Sequence, residues 1–228
     1  MEPFKEYFVR NQGALTLEQQ QTLDNSHVAV VGCGGLGGYV IEQLVRIGIG
    51  RMDVFDPDVF TASNCNRQLN ALTATLGCNK AEIAAHRARC IHPFARVTAW
   101  AVDFRDVPQE TWPAVDAVVD CLDSIEARRD LARLCGEHKQ PLIHGAVNAW
   151  CGQVGVQRPG DDLLARLYPD RAPRLSSPSP PSVLVCTVVV VAGLQVSETI
   201  KVLLGEPSSL RNNWMHIDLK HGDFATMG

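Results

Sequence analysis

The sequence predicts an α/β domain with a mostly parallel central sheet, helices on both faces and an antiparallel extension at the C-terminus. Three observations carry that expectation. From residue 27, a buried-type strand, a glycine-rich turn, a helix and a second strand follow one another within about 30 residues. Strand and helix patterns then keep alternating to residue 147. Two short strand patterns close the chain behind a long apolar helix. The 228 residues suffice for one such domain, divided into an N-terminal arm with a helix (1–26), a core (27–160), a crossover (161–182) and a terminal helix and hairpin (183–228).

Each element has its own signal. The run HVAVV at 27–31 is continuously apolar, as a strand buried on both faces requires. Val40, Leu44 and Ile47 have helical spacing over 36–47, and Gly48 and Gly50 punctuate the end before a strand at 52–55. Ala81, Ala84, Ala85 and Ala88 mark a compact helix over 79–91. Strands follow at 97–102 and 117–119. A helix over 124–135 has Ser124 at its N-cap, and strands at 141–147 and 153–156 come next. Residues 161–181 hold five prolines and read as a surface crossover. A long apolar helix over 188–204 ends at Gly205, and strands at 214–219 and 223–226 form the hairpin.

Composition narrows the function. Hydrophobic residues make up 46% and charged residues 20%, with a formal net charge of −4. That balance argues against nucleic acid as the main partner, since phosphate backbones demand a basic face. The first residues are polar, and the most apolar run, 183–192, is short for a bilayer span, so a cytoplasmic protein is expected. The eight cysteines are expected to be reduced thiols. No pair has C-x-x-C spacing, so no structural zinc tetrathiolate is expected. Cys186 opens an apolar run, which predicts a buried, inert thiol.

The stretch VVGCGGLGGY at 30–39 satisfies G-x-G-x-x-G through Gly32, Gly34 and Gly37. Such a turn lets the backbone approach a phosphate, with the following helix aiming N–H groups and its positive end at it. Asp56 ends the next strand, where a carboxylate accepts from ribose hydroxyls. These features indicate an adenosine phosphate but do not choose between NAD and ATP. The choice comes from FDPDVFTASNCNRQ at 55–68. A dehydrogenase has no need of Asn64, Arg67 and Gln68 there, or of Lys80 opening the next helix. An enzyme that breaks an α–β phosphate bond does, because negative charge grows on the departing pyrophosphate. Asp120 and Asp123 end the fourth strand at the ligand-binding edge of such a sheet. Asp123 is the better magnesium ligand, while Asp120 has the alternative of orienting its neighbours.

The set GCGGLG at 32–37, D-x-D at 56–58, SNCNRQ at 63–68, Lys80 and DCLD at 120–123 resembles the MoeB/ThiF/HesA family, bacterial relatives of the ubiquitin-activating enzymes. The similarity runs from about Tyr7 to the C-terminal hairpin. The resemblance implies a Rossmann-like ATP-binding domain. It implies an enzyme that adenylates the C-terminal glycine carboxylate of a small ubiquitin-like sulfur carrier ending in Gly-Gly, using ATP and Mg2+. Carried over, Gly32, Gly34, Gly35, Leu36 and Gly37 surround the nucleotide with Asp58, Asp120 and Leu122. Asp56 holds the ribose. Asn64, Arg67, Gln68 and Lys80 hold the phosphates, and Asp123 holds the metal. Arg10 matches an arginine donated across a dimer interface, which implies a homodimer. Three rivals remain: an NAD-dependent oxidoreductase, an enzyme that activates a modified tRNA adenosine for dehydration, which NRQLNAL at 66–72 also resembles, and a nucleotide-binding protein without activity, against which the intact polar set argues.

Overall fold

The computed structural model describes residues 6–169 and 182–228. Helix α1 (Leu17–Asn25) opens with a capping box: the Thr16 hydroxyl accepts from Gln19 N at 3.1 Å and the Gln19 side chain accepts from Thr16 N at 2.9 Å. Strand β1 (His27–Val31), helix α2 (Gly35–Ile47) and strand β2 (Arg51–Phe55) form the predicted unit. Helix α3 (Lys80–Ile91) and strand β3 (Arg96–Trp100) follow, then β4 (Ala117–Asp120), α4 (Ile125–Glu137), β5 (Leu142–Asn148) and β6 (Cys151–Gln157). A short helix α5 (Leu163–Leu167), the long α6 (Val185–Leu203) and the hairpin β7 (Trp214–Asp218) and β8 (Asp223–Met227) complete the chain.

One eight-stranded sheet has the order β3-β2-β1-β4-β5-β6-β7-β8. The pairings from β3 through β5 are parallel, and those from β5 through β8 are antiparallel. Alternation along β1 sends Val28 and Val30 into one hydrophobic cluster with α2, α3 and α6, and Ala29 and Val31 into the other with α4 and α5. Both faces are therefore covered, as a parallel sheet requires.

Three expectations need adjustment. The crossover does not start at the surface, because Leu163 and Leu164 of α5 are fully buried and Gln157 Oε1 accepts from Leu164 N at 2.9 Å. The five prolines of this stretch all come after that helix in the sequence, and residues 170–181 of the crossover lie outside the described residues. Strand β3 stops at Trp100, and the chain turns away through Val102. Finally, the short apolar run at 183–192 belongs to a 19-residue helix that, by length and composition, could cross a membrane. Here that helix packs on α2, β5 and β6, with Val188, Val191, Ala192 and Gln195 buried.

Candidate active site

The parallel strands deliver their C-terminal ends to one cleft of about 400 Å³. Its floor is the loop from β1 to α2. Gly32 has φ +94°, and a Cβ there would stand 2.6 Å from the Cys121 carbonyl. At Gly37 a Cβ would meet the Gly32 carbonyl at 1.7 Å, so the first turn of α2 lies directly on the loop. Gly32, Gly34, Gly35 and Leu36 line the cleft, whereas Gly37 supports it from behind.

Asp56, at the end of β2, ties two walls together. Its Oδ2 accepts from Cys33 N at 2.7 Å and its Oδ1 from Asp58 N at 2.9 Å. Burial pushes its carboxyl pKa up, opposed by these two backbone N–H groups and by Lys80. Each oxygen retains a lone pair, the acceptor that a sugar hydroxyl needs. Asn79 caps α3, accepting from Glu82 N at 3.0 Å, and donates to the carbonyls of Asp56 and Asp58 at 3.0 and 3.1 Å. That grip brings Lys80 into the cleft, where its Nζ lies 2.9 Å from Asp58 Oδ2.

The loop before α3 is shaped by Asn64. Its side-chain oxygen accepts from Thr61 N at 2.9 Å, and its carbonyl accepts from Arg67 N and Gln68 N. Asn64 is buried and does not line the cleft, while Arg67 and Gln68 do. The Arg67 guanidinium donates to Ser63 O and Asn66 Oδ1, both at 2.9 Å. Gln68 is buried, and its Oε1 has no hydrogen-bond partner among the described residues. A buried amide so placed over the glycine loop fits a polar ligand.

At the end of β4, Asp120 and Asp123 separate in role. Asp120 is fully buried behind the cleft, where its Oδ1 accepts from Leu122 N at 3.0 Å and its Oδ2 lies 2.7 Å from His144 Nδ1. Leu122 and Asp123 line the cleft. Asp123 is exposed and makes no hydrogen bond or ion pair among the described residues. No group of three or more His, Cys, Asp or Glu side chains suited to a metal exists among the described residues. The donor set therefore fits magnesium only in the form in which one carboxylate holds it together with substrate phosphates and water.

Arg10 lies elsewhere. It belongs to a short 3-10 turn (Val9–Asn11), and the Asn11 side chain donates to Ile47 O at 3.2 Å, at the far end of α2. A 13-residue helix separates that end from the glycine loop, a distance of about 20 Å.

The cleft also contains residues that motif reading missed. Val102, Asp103, Phe104 and Arg105 enter from the turn after β3, and Arg128 enters from the first turn of α4. Their one sequence signal is position, just past the C-terminal end of a parallel strand. Gln195 of α6, also missed, donates to the Asp120 carbonyl at 2.8 Å and braces β4 from below. Among the cysteines, burial pushes the thiols of Cys33 and Cys121 well above their ordinary pKa. Cys186 is exposed rather than buried, because the first turn of α6 turns Thr187 and Val188 inward instead.

The cleft sets a glycine loop beside Arg67, Gln68 and Lys80, and known proteins resemble this chain in sequence and in fold. The pattern of the ThiF family matches residues 9–228. The chain is 34% identical over 222 residues to the sulfur carrier protein adenylyltransferase of Thermus thermophilus, covering 92% of this chain and 81% of that one. It is 32% identical over 220 residues to the SAMP-activating enzyme E1 of Haloferax volcanii, covering 92% and 79%. A shorter match, 37% over 126 residues, covers 54% of this chain and 47% of the tRNA threonylcarbamoyladenosine dehydratase of Escherichia coli. Among solved structures, E. coli MccB with ATP superposes with a TM-score of 0.82 at 22% identity, covering 97% of this chain and 70% of that one, which shows a shared fold. With the motifs, the sheet order and the match along nearly the whole sequence in agreement, this chain belongs to the ThiF family.

Proposed function

We propose that this protein adenylates the C-terminal glycine carboxylate of a small ubiquitin-like sulfur carrier, with ATP as the second substrate and pyrophosphate as the product. The observation that carries the reading is the convergence of Arg67, Gln68, Lys80 and Asp123 on one cleft beside a glycine loop. The names of relatives that match over most of their length support it.

In this reading Asp56 accepts from the ribose and the glycine-loop amides face the phosphates. Phe104 and Val102 give the base an apolar wall. Val147, Val183 and Val188 also line the cleft, an apolar surface suited to a Gly-Gly tail. The tail carboxylate is ionised at pH 7 and is already a nucleophile. It attacks the α-phosphorus, and the bond to the bridging oxygen breaks. Arg67 and Lys80 meet the charge that moves onto pyrophosphate, and the chain contributes mainly alignment and fixed charge. Asp123 is the residue that would hold magnesium, which would supply positive charge against that of the phosphates. The same reading places the enzyme in the cytoplasm as a homodimer, with Arg10 reaching its partner's cleft. The neighbouring Asn11 is tied to Ile47, at the end of α2 away from the glycine loop, which supports a partner's cleft as the place where Arg10 acts.

ATP–pyrophosphate exchange with purified carriers ending in Gly-Gly tests the reading. Exchange that depends on the carrier and on its last glycine is expected. The local similarity to a tRNA dehydratase favours one alternative, activation of a modified tRNA base. Exchange or ATP cleavage driven by tRNA, and lost steeply with salt, would replace the carrier reading with that one.

A further inference from the structure

Behind the cleft wall lies a polar cluster of side chains from which the motifs include only Asp120. His144 on β5 is fully buried, and its Nδ1 lies 2.7 Å from Asp120 Oδ2. Its Nε2 lies 3.1 Å from the Tyr168 hydroxyl and 3.2 Å from Gln153 Nε2. That hydroxyl accepts from Gln153 Nε2 at 2.6 Å and from Arg128 Nη1 at 2.8 Å. Arg128 in turn donates to the Leu122 carbonyl through Nε at 3.2 Å and Nη2 at 2.5 Å.

Counting donors fixes the protons. A phenol has one proton and two lone pairs. Arg128 and Gln153 fill both lone pairs of Tyr168, so its proton points to His144 Nε2. That nitrogen must accept, and the single proton of the neutral ring sits on Nδ1, facing the Asp120 carboxylate. Burial lowers the His144 pKa against the pull of Asp120, in keeping with a neutral ring. The result is one directed series, from Tyr168 through His144 to Asp120. Its end is the backbone of Leu122, whose N–H is held by Asp120 and whose carbonyl, in the peptide that joins it to Asp123, is held by Arg128. The next residue is Asp123, an exposed carboxylate on the cleft.

We propose that Tyr168 and His144 are positioning residues for the magnesium–triphosphate end of the cleft, acting through Asp120 and Arg128 on the peptide that aims Asp123. The proposal rests on the assignment of ATP and of Asp123 made above. Neither Tyr168 nor His144 lines the cleft. Their action is to hold in one orientation a loop whose carboxylate has no protein partner of its own among the described residues.

The test uses the full chain and two readouts. Imidazole nitrogen NMR of the wild type is expected to show His144 as the neutral Nδ1–H tautomer; an Nε2–H tautomer or an imidazolium at pH 7 overturns the proposal. Calorimetric titration with ATP, in magnesium and separately in EDTA, gives the second readout. Tyr168→Phe is expected to weaken binding about tenfold in magnesium, the effect of one hydrogen bond to a charged group, and to leave binding in EDTA unchanged. His144→Leu is expected to do the same, and His144→Asn, which keeps an N–H for Asp120, to retain most of the affinity. Wild-type affinity in Tyr168→Phe and His144→Leu, or an equal loss in both media, overturns it. Failure of the underlying assignment looks different: the wild type itself then binds no ATP, or binds it with no benefit from magnesium. If a variant does not fold, the wild-type tautomer decides.

Discussion

At the scale of single residues, the cleft divides into groups that line it and groups that hold those in place. Arg67 and Asp123 belong to the first class, and neither supports the core. Arg67→Ala and Asp123→Ala are each expected to slow pyrophosphate exchange by roughly 10²–10³ with an unchanged melting temperature. Exchange kinetics beside a thermal melt check this, and a near-native rate in Asp123→Ala would remove it from the metal role. Asn64, expected at the phosphates, and Asp120, expected either beside the nucleotide or orienting its neighbours, are both buried and off the cleft lining: a motif marks the loop, and only the packed structure shows which member turns inward. Buried titratable groups set the response to acid. Burial lowers the pKa of His92 and of His144. In the unfolded chain both rings take a proton near pH 6.5, while the folded protein resists it. The unfolded state then binds more protons, so stability falls as the pH drops below about 6.5 and continues to fall until the folded values are passed. Urea titrations at pH 7.5, 6 and 5 should show descending midpoints, and a flat profile would contradict the assignment of neutral rings.

At the scale of elements, periodicity and punctuation sufficed for most of the fold. The apolar run of β1 appears in the structure with the bounds expected, and Ser124 caps α4 by accepting from Ala127 N at 3.2 Å. Ser124→Ala should cost about 1 kcal/mol and lower the melting temperature by about 2–4 °C for a domain of this size. A calorimetric scan measures it, and an unchanged melt would mean that tertiary packing alone holds that turn. The failures have local causes. Helix α5 was hidden because its apolar pair, Leu163 and Leu164, precedes a proline-rich stretch whose composition outweighs a helix of only five residues. Strand β3 ends early because Val102–Arg105 leave the sheet to line the cleft, a demand of the site that no strand pattern encodes. The Tyr168–His144–Asp120 series joins residues far apart in the chain. Spacing rules that work within one helix or strand carry no information about such a meeting.

At the scale of the whole molecule, the position of Arg10 has a quantitative consequence. Suppose each cleft combines Arg67 of one protomer with the arginine of its partner. Mixing equal amounts of Arg10→Ala and Arg67→Ala, each inactive alone, then gives half mixed dimers. Each mixed dimer has one intact cleft and one doubly damaged cleft, so about a quarter of wild-type activity should return. If Arg10 served its own protomer, every cleft would remain damaged and mixing would restore nothing.

The contact between Lys80 and Asp58 bears on how the nucleotide enters. The lysine is buried and its partner carboxylate is largely in solvent, so a triphosphate arrives as a competitor for a cation that is already neutralised. Entry trades one anion for another and releases Asp58 to water. Added electrolyte weakens the bond given up as well as the bond formed, and affinity for ATP should fall only gently between 50 and 500 mM NaCl. Asp58→Asn removes the resident anion, and its binding curve should fall more steeply over the same range. Parallel curves for the two proteins would show that the lysine does not exchange partners.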